Sequence, residues 1–435
     1  MFGALLVAIV AGSFILADFQ FLQTPELLAE RFITLLSTGW VLKTLAFAVM
    51  VGAVMTLIER SGGVEGLVYE LSHRRSWVKS RRSALMMSYI AGIVIFIESS
   101  ITSLVAGAIG KPFAARYGFS RAKLALVCDS TSAPICSIIA INGWGALLLG
   151  LIGAQITAGV IAGVPSEWLI QAILYNFYAY LALLVTFAAV WFEIDIGPMA
   201  HARKDTADTV EEVVVHGNVR LFLWPMVWMS GGVIGWMAYS GQGNILKGSG
   251  TDSIFYSLIV TLTLMFVYYR SKRVMQTGEF FSTVWIGIRS MVPIASILLL
   301  AFAIGGITSD LKAGEYLASF VGNYLNGAYI AAAIFIVSAV ISFATGTSWG
   351  TFSIMMPIAI PLAAGVDAPM ALSMAAVISG GVFGDHCSPI SDTTIISSMA
   401  SGCDVGEHVR TQLPYALIAA GGAMVLFIIF GVLLS

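Results

Sequence analysis

Charged side chains are scarce in this sequence of 435 residues: Asp, Glu, Lys and Arg make up 11% of it and hydrophobic residues 58%. That balance lies well outside the range of soluble globular proteins. Cysteine is also scarce, and the four cysteines form no C-x-x-C pair, which argues against a disulfide framework or a zinc site. The net charge of -2 argues against nucleic acid as a partner. The excess of hydrophobic over charged residues indicates a protein of the lipid bilayer.

Long apolar runs recur along the chain. Each is about 17 to 25 residues long, enough to cross a hydrocarbon core of roughly 30 Å as a helix. The runs predict an all-α polytopic membrane protein with about 11 to 13 membrane segments. The first run, MFGALLVAIVAGSFILADF, has neither the basic n-region nor the cleavage site of a secretory signal, so we expect it to be a retained first span.

Basic residues are concentrated in a few polar connections, which predict the orientation. The segment HRRSWVKSRR (73–82) holds five Arg or Lys residues and is typical of a cytoplasmic loop. Two spans precede it, so the N-terminus is expected in the cytoplasm, with the protein in the inner or plasma membrane of the cell. The polar stretch 199–220 is expected to be a cytoplasmic linker between an N-terminal membrane half (1–198) and a C-terminal membrane half (221–435).

Two pairs of short motifs predict an internal repeat. SSITSL (99–104) is similar to TSWGTF (347–352), and downstream DSTSAPI (129–135) is similar to DHCSPI (385–390). The loop charges place the entry of the two segments on opposite sides of the membrane. We therefore predict two repeats of inverted topology.

The predicted repeat cores span about 83–163 and about 328–411. In inverted repeats, helices interrupted by Gly, Pro and polar residues mark a transport site near the bilayer midplane. An interrupted helix frees backbone amides and carbonyls, which then need a polar or water-filled cavity. The residues predicted to break helices in this way are Pro134, Gly346, Gly384 and Pro389.

Acidic residues inside the apolar runs are the strongest functional signal. A carboxylate at the centre of a bilayer helix costs about 2.5 to 3.5 kcal/mol. We predict that Asp385 alternates between a bound proton and a bound cation, with Asp129 as its repeat partner and both as ligands of the transported metal ion. The acid-rich setting suits a small cation better than a carboxylate substrate. His386 is a candidate proton relay, and the further candidates for ion binding are Glu98, Ser100, Ser132, Thr347, Ser348 and Asp392.

Several of these residues also have structural interpretations, which the sequence leaves open. Asp392 could be the N-cap of a half-helix. Glu98 could lie at a helix end in water or pair with Arg289. His386 could be a packed histidine hydrogen-bonded to a carbonyl, and the hydroxyls of 345–351 could bond back to helix carbonyls.

The two C-terminal motifs carry a family resemblance. GDHCSPISDTTIISS (384–398) and TGTSWGTFSIMMPIAIPLA (345–363) closely resemble the signature of the NhaC-type sodium/proton antiporter family, and CDSTSAP (128–134) resembles it more loosely. The resemblance implies exchange of Na⁺ for H⁺ without a cofactor, or in some relatives transport of an organic solute coupled to those ions. It also implies two inverted repeats with broken helices and re-entrant hairpins. Carried over by position, it implies a site at Asp385, His386, Ser388, Asp392, Thr393, Thr347 and Ser348.

We therefore expect a secondary transporter, a Na⁺(Li⁺)/H⁺ antiporter that works by alternating access. The alternative is a Na⁺- or H⁺-coupled transporter of a small organic solute such as a carboxylate or an amino acid. An intramembrane metalloprotease is disfavoured because none of the five histidines forms an H-E-x-x-H motif. The expected partners are the lipid bilayer, a monovalent cation, the proton or a small organic solute, and a second copy of the chain in a homodimer.

Overall fold

The computed structural model describes residues 2–73, 78–96, 98–139, 141–202, 217–245, 248–312, 316, 319–320 and 326–435. Within these ranges the regular elements are all helices. The first ten are α1 (Phe2–Leu16), α2 (Thr24–Ser37), α3 (Gly39–Arg60), α4 (Gly63–His73), α5 (Arg81–Val94), α6 (Ser99–Tyr117), α7 (Arg121–Ile138), α8 (Gly143–Thr157), α9 (Pro165–Leu174) and α10 (Phe177–Trp191). After a 3₁₀ turn (Gly197–His201) come α11 (Arg220–Ser240), α12 (Gly250–Ser271), α13 (Thr277–Asp310), α14 (Gly327–Thr345), α15 (Ser348–Gly365), α16 (Met370–Cys387), α17 (Asp392–Ser401) and α18 (Val405–Leu434).

The helices confirm a multi-span membrane protein. Eight described helices are long and apolar enough to cross a membrane, and the number reaches ten when two bent helix pairs each count as one span. Those pairs, α7 with α8 and α9 with α10, bend by 43° and 41°. The expected 11 to 13 segments also included apolar runs that form shorter helices, such as α1. Residues 74–77 of the basic loop and 203–216 of the predicted linker lie outside the described residues.

Two stretches of the chain share one order of elements. In both α5–α8 and α14–α17, a helix is followed by a break, a second helix, a short turn, a third helix, another break and a fourth helix. This shared order fits an internal repeat. The opposite orientation of the two stretches in the membrane stays a prediction, as does the division into two membrane halves.

The helices that follow these breaks start from capping side chains. Glu98 accepts a hydrogen bond from the backbone N–H of Ile101 at the start of α6, and Thr347 accepts one from Gly350 at the start of α15. Asn142 and Ser391 cap α8 and α17 in the same way. Each side-chain oxygen satisfies a donor that the first helical turn leaves without a partner. The residue types at these four positions therefore specify where the helices after the breaks begin.

Two of the predicted helix breaks are corrected by the structure. Pro134 lies inside α7, which continues to Ile138, because neighbouring helices and local adjustments of the backbone make proline tolerable in a membrane helix. Gly384 lies inside α16. Gly346 does end α14, with a φ of +66° that favours glycine, and Pro389 lies in the break between α16 and α17.

Gly384 serves close helix packing instead. Together with Gly380, one turn earlier, it forms a small-x-x-x-small face on α16 that lets the backbone of α14 approach. A Cβ at Gly380 would lie 2.4 Å from the carbonyl oxygen of Phe335, and one at Gly384 would lie 2.2 Å from that of Ala339. These two glycines therefore fix the distance between α14 and α16, the helix that carries Asp385.

An ion cluster holds the segment after α10 against two other helices. Arg81, at the start of α5, lies 2.6 Å from a carboxylate oxygen of Asp195, and Lys123, in the first turn of α7, lies 3.0 Å from the other oxygen. The Lys123 side chain is fully buried and also donates to the carbonyl of Ile194 over 2.6 Å. The cluster thus ties α5, α7 and the end of α10 together.

Candidate functional site

A cavity of about 100 Å³ lies where the breaks before α6, before α15 and before α17 come together. Its polar lining comes from residues at helix ends, and its apolar lining comes from α3, α8, α13 and α15. Three carboxylates but no Lys or Arg are among its described lining residues. The polar lining residues are Glu98, Ser99, Thr347, Ser348, Ser353, Asp385, Asp392 and Thr393, and the larger apolar ones include Met55, Trp144, Met291, Leu298 and Trp349.

Asp385 is the most deeply buried carboxylate of this cavity, with 1% of its surface exposed. Its Oδ2 accepts hydrogen bonds from the hydroxyl of Ser348 over 2.8 Å and from that of Thr393 over 3.3 Å. Its Oδ1 is buried and has no hydrogen-bond partner among the described residues. A buried carboxylate oxygen without a donor is costly. This oxygen is therefore a place where a proton or a cation can be bound.

Glu98 and Asp392 face the same cavity from two other helix starts. Glu98 caps α6, with Oε2 2.9 Å from the backbone nitrogen of Ile101 and Oε1 3.1 Å from the hydroxyl of Ser100. Asp392 is exposed at the start of α17 and accepts from the N–H of Thr393 over 2.8 Å. Ser391 rather than Asp392 is the N-cap of α17. Both carboxylates thus stabilise helix starts while facing the cavity.

Asp129 occupies a second, separate centre. It is fully buried in the middle of α7 and is not among the described residues that line the cavity. Its Oδ2 lies 2.6 Å from Nε2 of Gln412, 3.3 Å from Nε2 of His408 and 3.3 Å from the hydroxyl of Thr394. Its Oδ1 lies 3.3 Å from the hydroxyl of Ser397. Both oxygens of this carboxylate therefore have at least one protein partner.

Asp129 and Asp385 lie in similar sequence motifs but at different distances from the ends of their helices. Asp129 lies nine residues before the last residue of α7, whereas Asp385 lies two residues before the last residue of α16. Only Asp385 therefore reaches a helix break. Ser132, beside Asp129, donates to the Asp129 carbonyl over 2.9 Å within the helix.

His386 points away from the cavity that Asp385 lines. Its Nδ1 lies 3.0 Å from the hydroxyl of Tyr178, and its backbone carbonyl accepts from Gln412 over 2.9 Å. Ser388, in the break after α16, is fully buried, and its hydroxyl has no partner among the described residues. Neither residue belongs to the described cavity lining.

Sequence reasoning missed several residues of both centres. His408 and Gln412 are 279 and 283 residues from Asp129 in the chain, so no spacing could have paired them. Their spacing of four residues in α18, which places both side chains on one face of the helix, was the available signal. Trp144 and Trp349, which line the cavity with ring centroids 6.2 Å apart, resemble ordinary apolar residues in the sequence.

In the part of the chain that the structure describes, no group of three His, Cys, Asp or Glu side chains could hold a metal ion. A cation bound at Asp385 would therefore take most of its ligands from neutral oxygens, the hydroxyls and carbonyls that interrupted helices supply in transporters. Such ligands suit a cargo ion that must leave again.

Interrupted helices around a buried polar cavity, in a protein with at least eight apolar spans, define a secondary transporter. The chain belongs to the Na⁺/H⁺ antiporter family, whose family model matches residues 135–432. The narrower NhaC type stays a prediction.

The chain is also similar to three known proteins over different ranges. An uncharacterised protein of Haemophilus influenzae is 32% identical over 98% of this chain and 86% of its own. The malate-2H⁺/Na⁺-lactate antiporter of Bacillus subtilis is 31% identical over 31% of this chain and 29% of its own. The crystal structure of the Alcanivorax borkumensis YdaH transporter has a TM-score of 0.64 at 15% identity, over 92% of this chain and 86% of that one. The last likeness is one of fold.

Proposed function

We propose that this protein is a Na⁺(Li⁺)/H⁺ antiporter in which a cation and a proton compete for Asp385. The observation that supports this function is the buried Oδ1 of Asp385, which lines the cavity and has no hydrogen-bond partner among the described residues. A proton or a cation at this oxygen would remove the cost of leaving it unpaired. Since one oxygen cannot hold both at once, binding one releases the other.

The lining of the cavity favours a small cation as the exchanged species. Glu98, Asp385 and Asp392 make it acidic, and its described lining includes no basic side chain. A volume of about 100 Å³ is enough for several water molecules. That is room for an alkali cation with part of its hydration shell. Alternating exposure of the cavity to the two sides then converts competition into antiport.

Transport of a small organic solute coupled to Na⁺ or H⁺ is the second candidate. Trp144 and Trp349 supply aromatic surface next to the carboxylates, a combination that can hold an apolar or cationic group. One similar protein is a malate-2H⁺/Na⁺-lactate antiporter. Against this candidate, the cavity is smaller than the roughly 300 to 1,000 Å³ of typical small-molecule sites. Its described lining residues also include no basic ligand for a carboxylate.

The family and the structural relative are transporters, so we assign transport and no enzymatic reaction. The cation and the proton are cargo, and the mechanism needs no cofactor. We further propose a location in the cell membrane with a cytoplasmic N-terminus, from the basic loops. The homodimer stays a prediction.

The proposed function is tested with purified protein in liposomes that carry an imposed pH gradient. Na⁺, Li⁺, K⁺ or small organic acids and amines are added, and dissipation of the gradient is recorded. We expect Na⁺ and Li⁺ to dissipate it with the wild type and not with Asp385→Asn, which keeps the size of the side chain but cannot exchange a proton for a cation.

Asp404→Asn is the matched control. Asp404 is exposed and caps α18 by accepting from the N–H of Glu407 over 3.1 Å, and asparagine caps helices about as well as aspartate. This control should exchange ions like the wild type. Normal exchange by Asp385→Asn would refute the role of Asp385, and a response to an organic solute alone would favour the second candidate.

A further inference from the structure

We propose that Asp129 is a positioning residue that holds the break between α16 and α17 in place, and that it does not contact the transported ion. This inference rests on the proposed function of Asp385 and adds a role for the second buried aspartate. A carboxylate in the middle of a membrane helix is expensive, so its presence needs a specific use. The contacts of Asp129 indicate which use that is.

The contacts of Asp129 join α7 to the C-terminal part of the chain. Gln412 and His408 lie on α18, and Thr394 and Ser397 lie on α17. All four have a nitrogen or hydroxyl within 3.3 Å of an Asp129 oxygen. Charged hydrogen bonds of this kind are roughly twice as strong as neutral ones. Asp129 therefore fixes the half-helix α17 and the last helix to α7.

The link from Asp129 to the cavity runs through one amide group. Nε2 of Gln412 donates to Asp129 over 2.6 Å and to the carbonyl oxygen of His386 over 2.9 Å, which uses both of its hydrogens. The His386 carbonyl belongs to the last turn of α16, where backbone carbonyls have no partner within the helix. The bridge thus fixes the backbone of the residue that follows Asp385.

A second contact links Asp129 to Asp385 itself. The hydroxyl of Thr394 lies 3.3 Å from Oδ2 of Asp129 and 3.4 Å from the backbone carbonyl of Asp385, so its single proton is shared between these two acceptors. Thr394 is next to Thr393, which donates to the Asp385 carboxylate. Asp129 thereby helps to position two residues of the cavity lining, Asp385 through the backbone of α16 and Thr393 through the first turn of α17.

Direct binding of the ion by Asp129 fits the geometry less well. Asp129 is fully buried and is outside the described cavity lining. Both of its oxygens have a protein donor within 3.3 Å, whereas Oδ1 of Asp385 has none among the residues that the structure describes. A cation at Asp129 would have to displace the amide of Gln412 and so release the last turn of α16.

The transport test compares Asp129→Asn, Gln412→Leu and the double variant in liposomes, with Asp404→Asn as control. We expect each single change to lower the maximal exchange rate by about 10- to 100-fold, as removal of a supporting residue typically does. The double variant should be no worse than the poorer single one, because both changes break the same link. The ratio of the KM values for Li⁺ and Na⁺ should stay within about twofold of the wild type, because the ion's own ligands are unchanged.

Additive losses in the double variant, or a shifted Li⁺ to Na⁺ ratio in Asp129→Asn, would overturn the inference. If Asp129→Asn does not fold, Ser397→Ala removes a single contact of Asp129 and should lower the rate in the same direction by less. An unchanged rate in Ser397→Ala would then count against the inference.

A second readout needs no transport. Hydrogen exchange followed by mass spectrometry on the full chain should show faster exchange of the backbone amides of 386–395 in Asp129→Asn and in Gln412→Leu, with the amides of α3 unchanged. Unchanged protection of 386–395 would refute the positioning role whatever the transported species. A wild type that exchanges no cation for protons would instead refute the proposed function and leave this readout to decide the inference.

Discussion

Substitution of Gly384 by alanine is the sharpest test of how helix packing supports the site. The added Cβ would lie 2.2 Å from the carbonyl oxygen of Ala339 and 2.7 Å from the backbone nitrogen of Phe343. Both are backbone atoms of α14, so no side-chain rotation can relieve the clash. Ordinary contacts begin at 3.4 Å, and α14 and α16 must therefore separate locally by about 1 Å.

The expected cost follows from this displacement. Overpacking a well-packed interface typically costs about 1 to 3 kcal/mol. Asp385 is the next residue along α16, and a misplacement of about 1 Å at a functional group can cost about 100-fold in rate. We therefore expect Gly384→Ala to unfold at a lower temperature in detergent and to exchange ions about 100-fold more slowly.

Gly421→Ala is the matched control for this experiment. Gly421 lies inside α18, and a Cβ there would meet nothing within 4 Å. The same change of residue should therefore stabilise the protein by about 0.5 to 1 kcal/mol, as alanine does in a helix interior, and leave exchange unchanged. Equal stability and equal exchange for Gly384→Ala and Gly421→Ala would refute the close approach of α14 and α16.

Two further predictions concern the hydroxyl at Asp385 and the ion cluster at Asp195. Ser348→Ala removes the nearer hydrogen bond to the Asp385 carboxylate. Because hydrogen bonds to charged groups contribute about 1.5 to 3 kcal/mol, the apparent KM for Na⁺ should change by at least about tenfold. An unchanged KM would contradict the contact between Ser348 and Asp385. Burial alone would raise the pKa of Asp195, but its interactions with Arg81 and Lys123 outweigh burial and lower that pKa. Asp195→Asn should therefore lower the free energy of unfolding by about 1 to 3 kcal/mol at neutral pH. This difference in the free energy of unfolding between the variant and the wild type should be largest above a pH of about 3.9 and should shrink as the pH falls below that value. Equal stability of the two proteins at pH 7, measured by thermal unfolding, would show that the cluster does not stabilise the fold.

Much of the fold follows from composition and local residue type. The low content of charged residues and the apolar runs predicted a polytopic helical membrane protein, and the structure confirms it with at least eight apolar spans. Gly346 and Pro389 marked true interruptions because their backbone preferences act locally. Gly384 and Pro134 did not, since the same residue types also serve close packing and tolerated kinks inside membrane helices.

The candidate site could be predicted in part. The signature around Asp385 and Ser348 brought together residues that the structure places within 2.8 Å of each other, although 37 positions separate them. Thr393 and Glu98 were likewise placed at the same cavity. The similar surroundings of Asp129 suggested an equal partner, and only the fold shows that this residue lies elsewhere.

The sequence by itself determined the membrane environment, the helical class and the residue types at the helix breaks, because hydropathy, capping and turn preferences depend on a few neighbouring residues. Only the tertiary structure decided which carboxylates share a cavity. Hydrogen bonds such as those from Gln412 and His408 to Asp129 join positions almost 300 residues apart. The sequence around a buried carboxylate does not indicate which distant residue supplies its hydrogen-bond donor. Long-range packing therefore left Asp385, in an acidic cavity, with an oxygen that has no partner among the described residues, and gave both oxygens of Asp129 a protein partner.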